Sequence, residues 1–371
     1  MSEENRLFDA WLSSAEIPYI WLLPLLLRMK SSFAVYTEFN EDKNLLRDLI
    51  PDAYIRKLQV LSDPAQMNRM QLLLSSCDIH SITILDDDYP HSLREISDPP
   101  GILFYRGNPD CLHRSRIVAM IGSRSASYNG QKAARRIARG LSTHQVVIVS
   151  GLAYGIDTAS HQGCLEGSAP TIAVMGCGLE QNYPLRNEPL KNEILSHNGL
   201  LLSEYPPGVK PNGFRFPYRN RIISGLSDAV VLIEARIRSG SMTTVDHALR
   251  QGKEVFAYPG DPESQLSEGN RSLLRDGARY FTEAEDILAD MNWLDNLSLV
   301  RHNSECSSRF IPANAAEDAV YKALIPGLLS FDELSLATKL DASELMSTLT
   351  VLQIKKVIEP IPGKKYQIVQ E

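Results

Sequence analysis

Short apolar runs alternate with segments of helical spacing through the middle of the chain. Each run is followed by a turn of small residues and then by a helical pattern; the runs are IVAMI at 117, VVIVS at 146, TIAVM at 171, LLLSE at 200, AVVLIEA at 229 and EVFAY at 254. Near-continuous apolar strands that alternate with helices are typical of a parallel sheet covered on both faces. The pattern predicts a Rossmann-like, doubly wound α/β fold.

The first hundred residues differ in glycine content and in the spacing of their apolar residues. They contain none of the 22 glycines, and their apolar residues follow helical spacing over Ala10–Arg28, Asn44–Leu58 and Pro64–Ser76. Pro18 and Pro24 are expected to break or kink the first helix, because proline cannot donate the backbone hydrogen bond. We predict a helical N-terminal domain over residues 1–80 and a Rossmann-like domain with an extended lead-in over residues 81–290.

The end of the chain predicts a small separate module. Residues 291–315 are polar and are interpreted as a linker. A helical segment then starts at Ala316, the capping-box signatures SFDE and DASE start two further helices, and VIEPIPGKKYQIV is typical of a hairpin around Pro362 and Gly363. Three helices and a hairpin in residues 316–371 predict a C-terminal winged-helix domain.

Bulk composition narrows the class of protein. The formal net charge is −7, with 45 Asp and Glu against 38 Lys and Arg, so any anion-binding site must be local. The five cysteines form no CxxC pair, which favours a reducing cytoplasm without a disulfide framework or a zinc site. The longest apolar run, IWLLPLLL, has acids upstream and is too short to cross a bilayer. We expect a cytoplasmic protein with no metal and no membrane span.

One segment of this acidic chain is basic and aromatic. KPNGFRFPYRNR, residues 210–221, contains four cations, three rings and no acid. Such a segment can be a solvated basic loop whose rings pack back into the core. The interleaving of Phe214, Phe216 and Tyr218 with Arg215 and Arg219 favours a single-strand binder, which uses cations for the phosphates and rings for unstacked bases.

The small-residue turns all follow predicted strand ends. In open α/β sheets these turns meet at the edge where ligands bind. The motif IGSR is predicted to open a helix directly after the first strand of this region, so the N–H groups of Ser123 to Ser125 and the cation of Arg124 would face an anion. The dinucleotide fingerprint GxGxxG is absent, so no NAD or FAD cofactor is predicted.

Catalytic motifs are not evident. Asp157 and His161 stand four residues apart and could be metal ligands or an acid–base pair, but buried side-chain bonds between helix and sheet are favoured because no third ligand is near. The sequence has no nucleophile elbow and no Walker A lysine. We therefore predict that the protein is not an enzyme.

Seven motifs together resemble one known family, the DNA-processing protein A family (DprA or Smf). In chain order they are IGSR, SGLAYGIDTASH, SEYPPG, FPYRNRIISGLSDAVVLIEA, SGSMTT, VFAYPG and EGNRSLLRDGA. The resemblance covers about residues 85 to 290. The resemblance implies a single-stranded DNA-binding protein that protects incoming DNA, forms a homodimer and helps to load the RecA recombinase in natural transformation. It also implies that residues 1–80 are a degenerate SAM or helix–hairpin–helix domain, since the family's glycine hairpin is absent.

The resemblance also implies specific site residues. The predicted DNA-binding residues are Gly122, Ser123, Arg124, Ser150, Gly151, Lys210, Phe214, Phe216, Arg219, Asn220, Arg221, Ser239, Gly240 and Ser241. Of the two phenylalanines, one is expected to stack on a base and the other to pack beneath it. Leu273 and Leu274 are adjacent on a short helix, so one can face the core while the other points outward. The family places a homodimer contact on this side, and we predict that the pair contributes to it.

Two other functions are compatible with the sequence. In a nucleotide phosphoribohydrolase-like enzyme on a related fold, SGSMTTVDHAL would replace a Gly-rich phosphate loop and Asp246 would supply the acid, although Ser239 and Met242 replace glycines there. In a duplex-specific regulator, the winged helix would carry the DNA contact. That module has eight acids and six lysines, so we expect it to bind protein or another part of the chain as readily as duplex.

Overall fold

The structure, a computed structural model, describes residues 5–294, 312, 314–324, 329–355, 357–361 and 365–368. The chain divides into two compact units, residues 1–291 and residues 292–371. Most of the predicted linker and the predicted turn at Pro362 and Gly363 lie outside the described residues.

In the described part of the first unit, nine strands form one sheet. In chain order they are β1 His80–Thr83, β2 Ile102–Gly107, β3 Ile117–Ile121, β4 Val147–Ser150, β5 Thr171–Met175, β6 Leu200–Ser203, β7 Ala229–Leu232, β8 Glu254–Ala257 and β9 Arg279–Tyr280. The order across the sheet is β1-β2-β6-β5-β4-β3-β7-β8-β9. Strands β3 to β9 pair in parallel, and β2 joins β6 antiparallel. The six apolar runs are β3 to β8, which confirms the predicted fold class.

Helices cover both faces of this sheet. They are α1 Asn5–Ser14, α2 Tyr19–Met29, α3 Ser32–Glu41, α4 Lys43–Arg47, α5 Asp52–Leu61, α6 Pro64–Ser76, α7 His91–Arg94, α8 Tyr128–Thr143, α9 Ile156–Leu165, α10 Glu188–Ser196, α11 Arg215–Leu226, α12 Gly240–Arg250, α13 Glu268–Arg275 and α14 Ala284–Asp290. Among the described residues, no helix combines the length and the apolar character needed to cross a membrane.

The strand order creates a crevice. Strand β3 lies between β4 and β7, so the chain leaves β3 toward one side of the sheet and returns to pair on its other side. Loops that follow such neighbouring strands diverge, and the space between them is where open α/β sheets bind ligands. The carboxyl ends of β3 and β7 therefore mark the place to look for a site.

The N-terminal helices share a core with the sheet. Trp11 and Leu26 are fully buried in the same apolar cluster as Phe104 of β2 and Leu201 of β6. Asp9 of α1 also accepts a hydrogen bond from the Ser81 hydroxyl of β1 at 2.6 Å. These contacts hold the N-terminal helices against the sheet. They therefore also fix the width of the space between these helices and α11.

The second unit has the predicted winged-helix fold. It contains α15 Ala315–Leu324, β10 Leu329–Ser330, α16 Phe331–Thr338, α17 Ala342–Ile354, β11 Ile358–Ile361 and β12 Lys365–Ile368. Both predicted caps form: Ser330 and Glu333 make a reciprocal capping box, and the Asp341 side chain accepts from the Glu344 N–H. Helix α17 contains no cation, so its surface offers little to a phosphate backbone.

The two leucines of α13 face different ways, one toward the core and one toward the surface, as expected from their adjacent positions. Leu273 is only 8% exposed and packs in the core with Val245 and Val255. Leu274 is partly buried against the same core. The prediction of Leu273 as an interface residue is therefore corrected: its side chain belongs to the protein interior, and Leu274 is the member of the pair with surface to offer.

Leu273 and Leu274 should differ in their effect on stability. We expect Leu273→Ala to lower the unfolding free energy by about 2–5 kcal/mol, because it leaves a cavity in a packed core. Leu274→Ala, which removes a half-buried side chain, should cost clearly less. Urea unfolding of the two variants followed by far-UV circular dichroism compares them directly. Equal costs would contradict the buried position of Leu273.

Candidate functional site

A cavity of about 550 Å³ opens at the carboxyl ends of β3 and β7. Its walls come from the loops after these two strands and from the first turns of α11 and α12. Nine of the predicted residues line it: Gly122, Ser123, Arg124, Phe216, Arg219, Asn220, Ser239, Gly240 and Ser241. Residues 122 and 241 are far apart in the sequence, and they lie in one cavity because β3 and β7 are neighbours in the sheet. This agrees with the expectation that the turns after the strands meet at one edge.

Two exposed arginines contribute positive charge to the cavity. Arg124 and Arg236 both line it and are both exposed. In the part of the chain that the structure describes, neither forms a salt bridge with a carboxylate. Arg236 was missed from the sequence, although it stands directly between the end of β7 and the SGS motif. Two uncompensated guanidinium groups in one concave site attract anions.

The N-terminus of α12 adds backbone donors to this charge. Helix α12 begins at Gly240 with Ser239 as its N-cap, and Ser239, Gly240 and Ser241 all line the cavity. The Ser239 and Ser241 hydroxyl oxygens lie 3.0 Å apart. Free N–H groups and the helix dipole favour an anion at such a terminus. Together with the two arginines, this end of α12 can bind phosphate.

The IGSR motif contributes differently from the prediction. The next helix, α8, begins only at Tyr128, and its N-cap hydroxyl is that of Ser127, which accepts from the Gly130 N–H. Residues 122–127 are therefore a loop, and the Ser123 N–H donates to the Glu234 carbonyl oxygen at 2.7 Å. The predicted helix N-terminus at Ser123 to Ser125 is wrong. What the loop supplies is the Arg124 side chain.

A buried arginine forms the floor of the cavity. Arg219 is 4% exposed and donates to the carbonyl oxygens of Gly151, at 3.1 Å, and Val174. Burial lowers the pKa of Arg219 to about 10, while the nearby Asp157 carboxylate opposes that shift. Burial likewise raises the pKa of Asp157, against the Arg219 charge and the N–H groups of Ala153 and Gly151. The Arg219 N–H groups are bonded to backbone carbonyl groups, so this side chain stabilises the floor of the cavity. Its guanidinium also adds positive charge there.

Helix α11 separates the basic and aromatic segment into two surfaces. The predicted single loop is wrong from Arg215 onward, where α11 begins. Phe216 and Arg219 face the cavity described above. Phe214, Arg215 and Tyr218 face a second cavity on the other side of the helix, toward the N-terminal helices. The interleaving seen in the sequence is thus the alternation of two helix faces.

Phe216 is held by its neighbours. Tyr183 stacks on it with ring centroids 5.2 Å apart and an interplanar angle of 18°, and the Arg124 guanidinium lies 5.2 Å from its centroid. A Cβ added at Gly176 would come within 2.8 Å of the Phe216 ring, so glycine is needed for this close approach. Phe216 therefore positions Arg124 and Tyr183. Tyr183, which is 41% exposed and was missed from the sequence, offers ring surface to a ligand.

Two further predicted residues lie away from the cavity, and their assignment is corrected. Arg221 is 3% exposed, and its Nη1 donates to Glu204 Oε2 at 2.9 Å while its guanidinium lies 4.0 Å from the Tyr218 ring centroid. Ser150 is fully buried and donates to the Met120 carbonyl oxygen at 2.7 Å. Burial and satisfied bonds give both residues structural roles.

The remaining predicted residues lie around the rim or on neighbouring surfaces. Gly151 lines a smaller adjoining cavity together with Tyr154, Tyr183 and Phe216. Lys210 is exposed and is not part of the lining, although its carbonyl oxygen accepts from Arg215 Nη1 at 2.9 Å. Lys210 can therefore contact only the part of a ligand that extends out of the cavity.

The catalytic alternatives find little support in the geometry. His161 Nδ1 lies 2.8 Å from the Thr171 hydroxyl, and burial lowers the pKa of His161 to about 3, so the ring is neutral and structural as predicted. Asp246, the acid of the phosphoribohydrolase hypothesis, is exposed on α12 and does not line the cavity. Among the described residues, no group of three His, Cys, Asp or Glu side chains could hold a metal ion.

Comparison with known proteins places this site in a family. A family model described as "DNA recombination-mediator protein A" matches residues 80–292, and one described as "DprA winged helix domain" matches residues 311–364. The DNA processing protein DprA of Streptococcus pneumoniae is 46% identical over 213 residues, which are 57% of this chain and 74% of that protein. Protein Smf of Escherichia coli is 42% identical over 214 residues, 58% of this chain and 57% of that protein.

Solved structures agree with the sequence matches. The X-ray structure of DprA from Streptococcus pneumoniae aligns with a TM-score of 0.64 at 38% identity and covers 75% of this chain and 95% of that chain. A Helicobacter pylori DNA processing protein A, whose structure is described as giving insights into its single-stranded DNA binding mode, aligns with a TM-score of 0.53 at 29% identity, over 58% of this chain and 97% of that one. The chain therefore belongs to the DNA recombination-mediator protein A family, DprA or Smf.

Proposed function

We propose that this protein binds single-stranded DNA in the cavity at the carboxyl ends of β3 and β7. The observation that carries the proposal is the combination found there: Arg124 and Arg236 without carboxylate partners among the described residues, the N-terminus of α12, and the exposed ring of Tyr183 beside them. Phosphates need the first two features, and unstacked bases need the third. The Helicobacter pylori relative, described as binding single-stranded DNA, supports the same function.

The cavity suits a single strand better than a duplex. Stacking on a ring requires a base whose face is free, and in a duplex the faces are covered by neighbouring bases. Arginines and backbone N–H groups contact phosphates, which carry no sequence information. We therefore propose preferential binding of single strands with weak sequence preference.

The wider role follows from the family. We propose that the protein acts in the cytoplasm, protects incoming single-stranded DNA and helps to load the RecA recombinase during DNA recombination and natural transformation (competence). The description of the family as a recombination mediator supports this role. A direct test is whether the protein accelerates RecA filament formation on single strands already covered by a single-strand-binding protein.

We also propose that the protein is a homodimer. We place the dimer contact on the segments that follow β8. Leu274 is half-buried there and Tyr280 is 60% exposed, and these two side chains would supply the apolar part of the contact. A two-fold axis would bring two copies of such a patch together. Two cavities in one particle would then bind a long strand more tightly than either cavity alone.

Removing the Arg124 side chain should weaken DNA binding without unfolding the protein. Arg124 is exposed, so Arg124→Ala should leave thermal unfolding nearly unchanged while it reduces affinity for a fluorescent oligothymidine. Arg221→Met is the matched control, since it removes a buried, paired arginine and should cost about 3–5 kcal/mol of stability.

About four phosphate contacts would give a log–log salt slope near −3 for the unmodified protein. Equal affinity for duplex and single strands would contradict the proposal.

Tyr183 should contribute a stacking surface. We expect Tyr183→Ala to cost about 1–3 kcal/mol of single-strand binding free energy, and Tyr183→Phe to restore most of it because the ring remains. Tyr128→Ala is the control, since Tyr128 is 81% exposed but lines neither cavity. Fluorescence anisotropy with one labelled oligonucleotide measures all three variants. Wild-type affinity in Tyr183→Ala would remove Tyr183 from the interface.

Charging Leu274 should separate long-strand from short-strand binding. Leu274→Glu places a carboxylate in the proposed dimer contact, so light scattering should give the mass of one chain where the unmodified protein gives two. Affinity for a strand long enough to reach two cavities should fall, and affinity for a short strand should stay the same. A single-chain mass for the unmodified protein at micromolar concentration would refute the dimer.

A further inference from the structure

The second cavity beside α11 differs from the DNA cavity in both charge and lining. It has a volume of about 390 Å³ and lies between the N-terminal helices and α11. Apolar and aromatic side chains make up most of its wall, namely Leu12, Ile17, Tyr19, Tyr205, Phe214 and Tyr218. A mostly apolar concave site of this volume is typical of ligand and side-chain binding pockets.

Carboxylates dominate the polar part of this cavity. Glu16, Asp98 and Glu204 line it, and Arg215 is the only lining cation among the described residues. Glu204 and Asp98 both pair with the buried Arg221, Asp98 also accepts from the Tyr218 hydroxyl at 2.7 Å, and Glu16 pairs with Arg215 at 2.7 Å. Three carboxylates against two arginines leave one negative charge in excess. The Glu16 and Asp98 side chains remain 51% and 40% exposed. This excess of negative charge disfavours phosphate, so the second cavity is not a continuation of the DNA path.

Exposed apolar surface continues beyond the cavity along α2. Tyr19 lines the cavity, and the next two residues of the helix, Ile20 and Trp21, are 71% and 42% exposed. Phe214 at the opposite wall is 73% exposed. Large apolar side chains that are exposed beside a cavity are typical of interaction sites. A peptide segment is the favoured occupant, because it can contact several of these exposed side chains at once.

We propose that this second cavity binds an exposed segment of a partner protein, in which a bulky apolar side chain stands next to a lysine or arginine. The apolar side chain enters beside the exposed ring of Phe214, and the neighbouring cation meets the exposed carboxylates of Glu16 and Asp98. The proposal goes beyond DNA binding. Because Phe214 is the N-cap of α11 and Arg215 is its first residue, a bound partner would contact the same helix that shapes the DNA cavity.

Two fluorinated dipeptides test the charge and the apolar requirement together. The probes are N-acetyl-5-fluorotryptophanyl-lysine amide and the matching glutamate amide, observed by ¹⁹F NMR line broadening with the full chain. The lysine probe should bind about two- to fivefold more tightly than the glutamate probe, as one exposed ion pair allows. Equal broadening of the two probes would overturn the proposal.

Two variants place the binding in this cavity. Glu16→Gln should reduce the preference for the lysine probe, and Phe214→Ala should weaken both probes. Phe214 is 73% exposed, so its removal should not unfold the protein. Tyr128→Ala serves as the control and should behave as wild type. Unchanged broadening in both cavity variants would refute the site.

Failure of this proposal can be told apart from failure of the DNA function. Glu16 does not line the DNA cavity, so Glu16→Gln should keep the single-strand affinity of the unmodified protein. Selective probe binding by a protein that does not bind single strands would support the second cavity and refute only the DNA proposal. A loss of DNA binding in Glu16→Gln would contradict the separation of the two cavities.

Discussion

The position of α11 depends on two buried cations, Arg219 and Arg221, and Arg219 is the one that lines the cavity. The Arg219 guanidinium donates to the carbonyl oxygens of Gly151 and Val174 and lies beside the buried Asp157. A buried charge is tolerated only when it is compensated in this way. The interaction holds the first turns of α11 against the ends of β4 and β5. The positions of the two cavities on either side of α11 depend on that placement.

The two sides of α11 have opposite electrostatic character. Toward β3 and β7 the helix meets Arg124, Arg236 and the N-terminus of α12. Toward the N-terminal helices it meets Glu16, Asp98 and Glu204. A chain with a net charge of −7 thereby keeps its anion-binding surface local, as the composition requires. In the two proposals above, one short helix serves a nucleic acid on one side and a protein segment on the other.

Much of the fold could be predicted from the sequence, because apolar runs and capping boxes are local signals. The six runs became β3 to β8, and Ser330 with Glu333 formed its predicted box. Side-chain direction could not be predicted in the same way. Whether Arg221 or Arg124 faces a ligand depends on partners far away in the chain, such as Glu204. Tyr183 was missed because only the fold brings it onto Phe216, 33 residues later in the chain.

Photo-crosslinking tests the division of α11 most directly. A single strand carrying 5-iodouridine at successive positions is bound to the full chain, irradiated and mapped by mass spectrometry to the linked residues. We predict crosslinks to Tyr183, whose exposed ring lies beside Phe216, and none to Phe214 or Tyr218. Crosslinks mainly to Phe214 or Tyr218 would show that the strand follows the other face of α11 and would contradict the account.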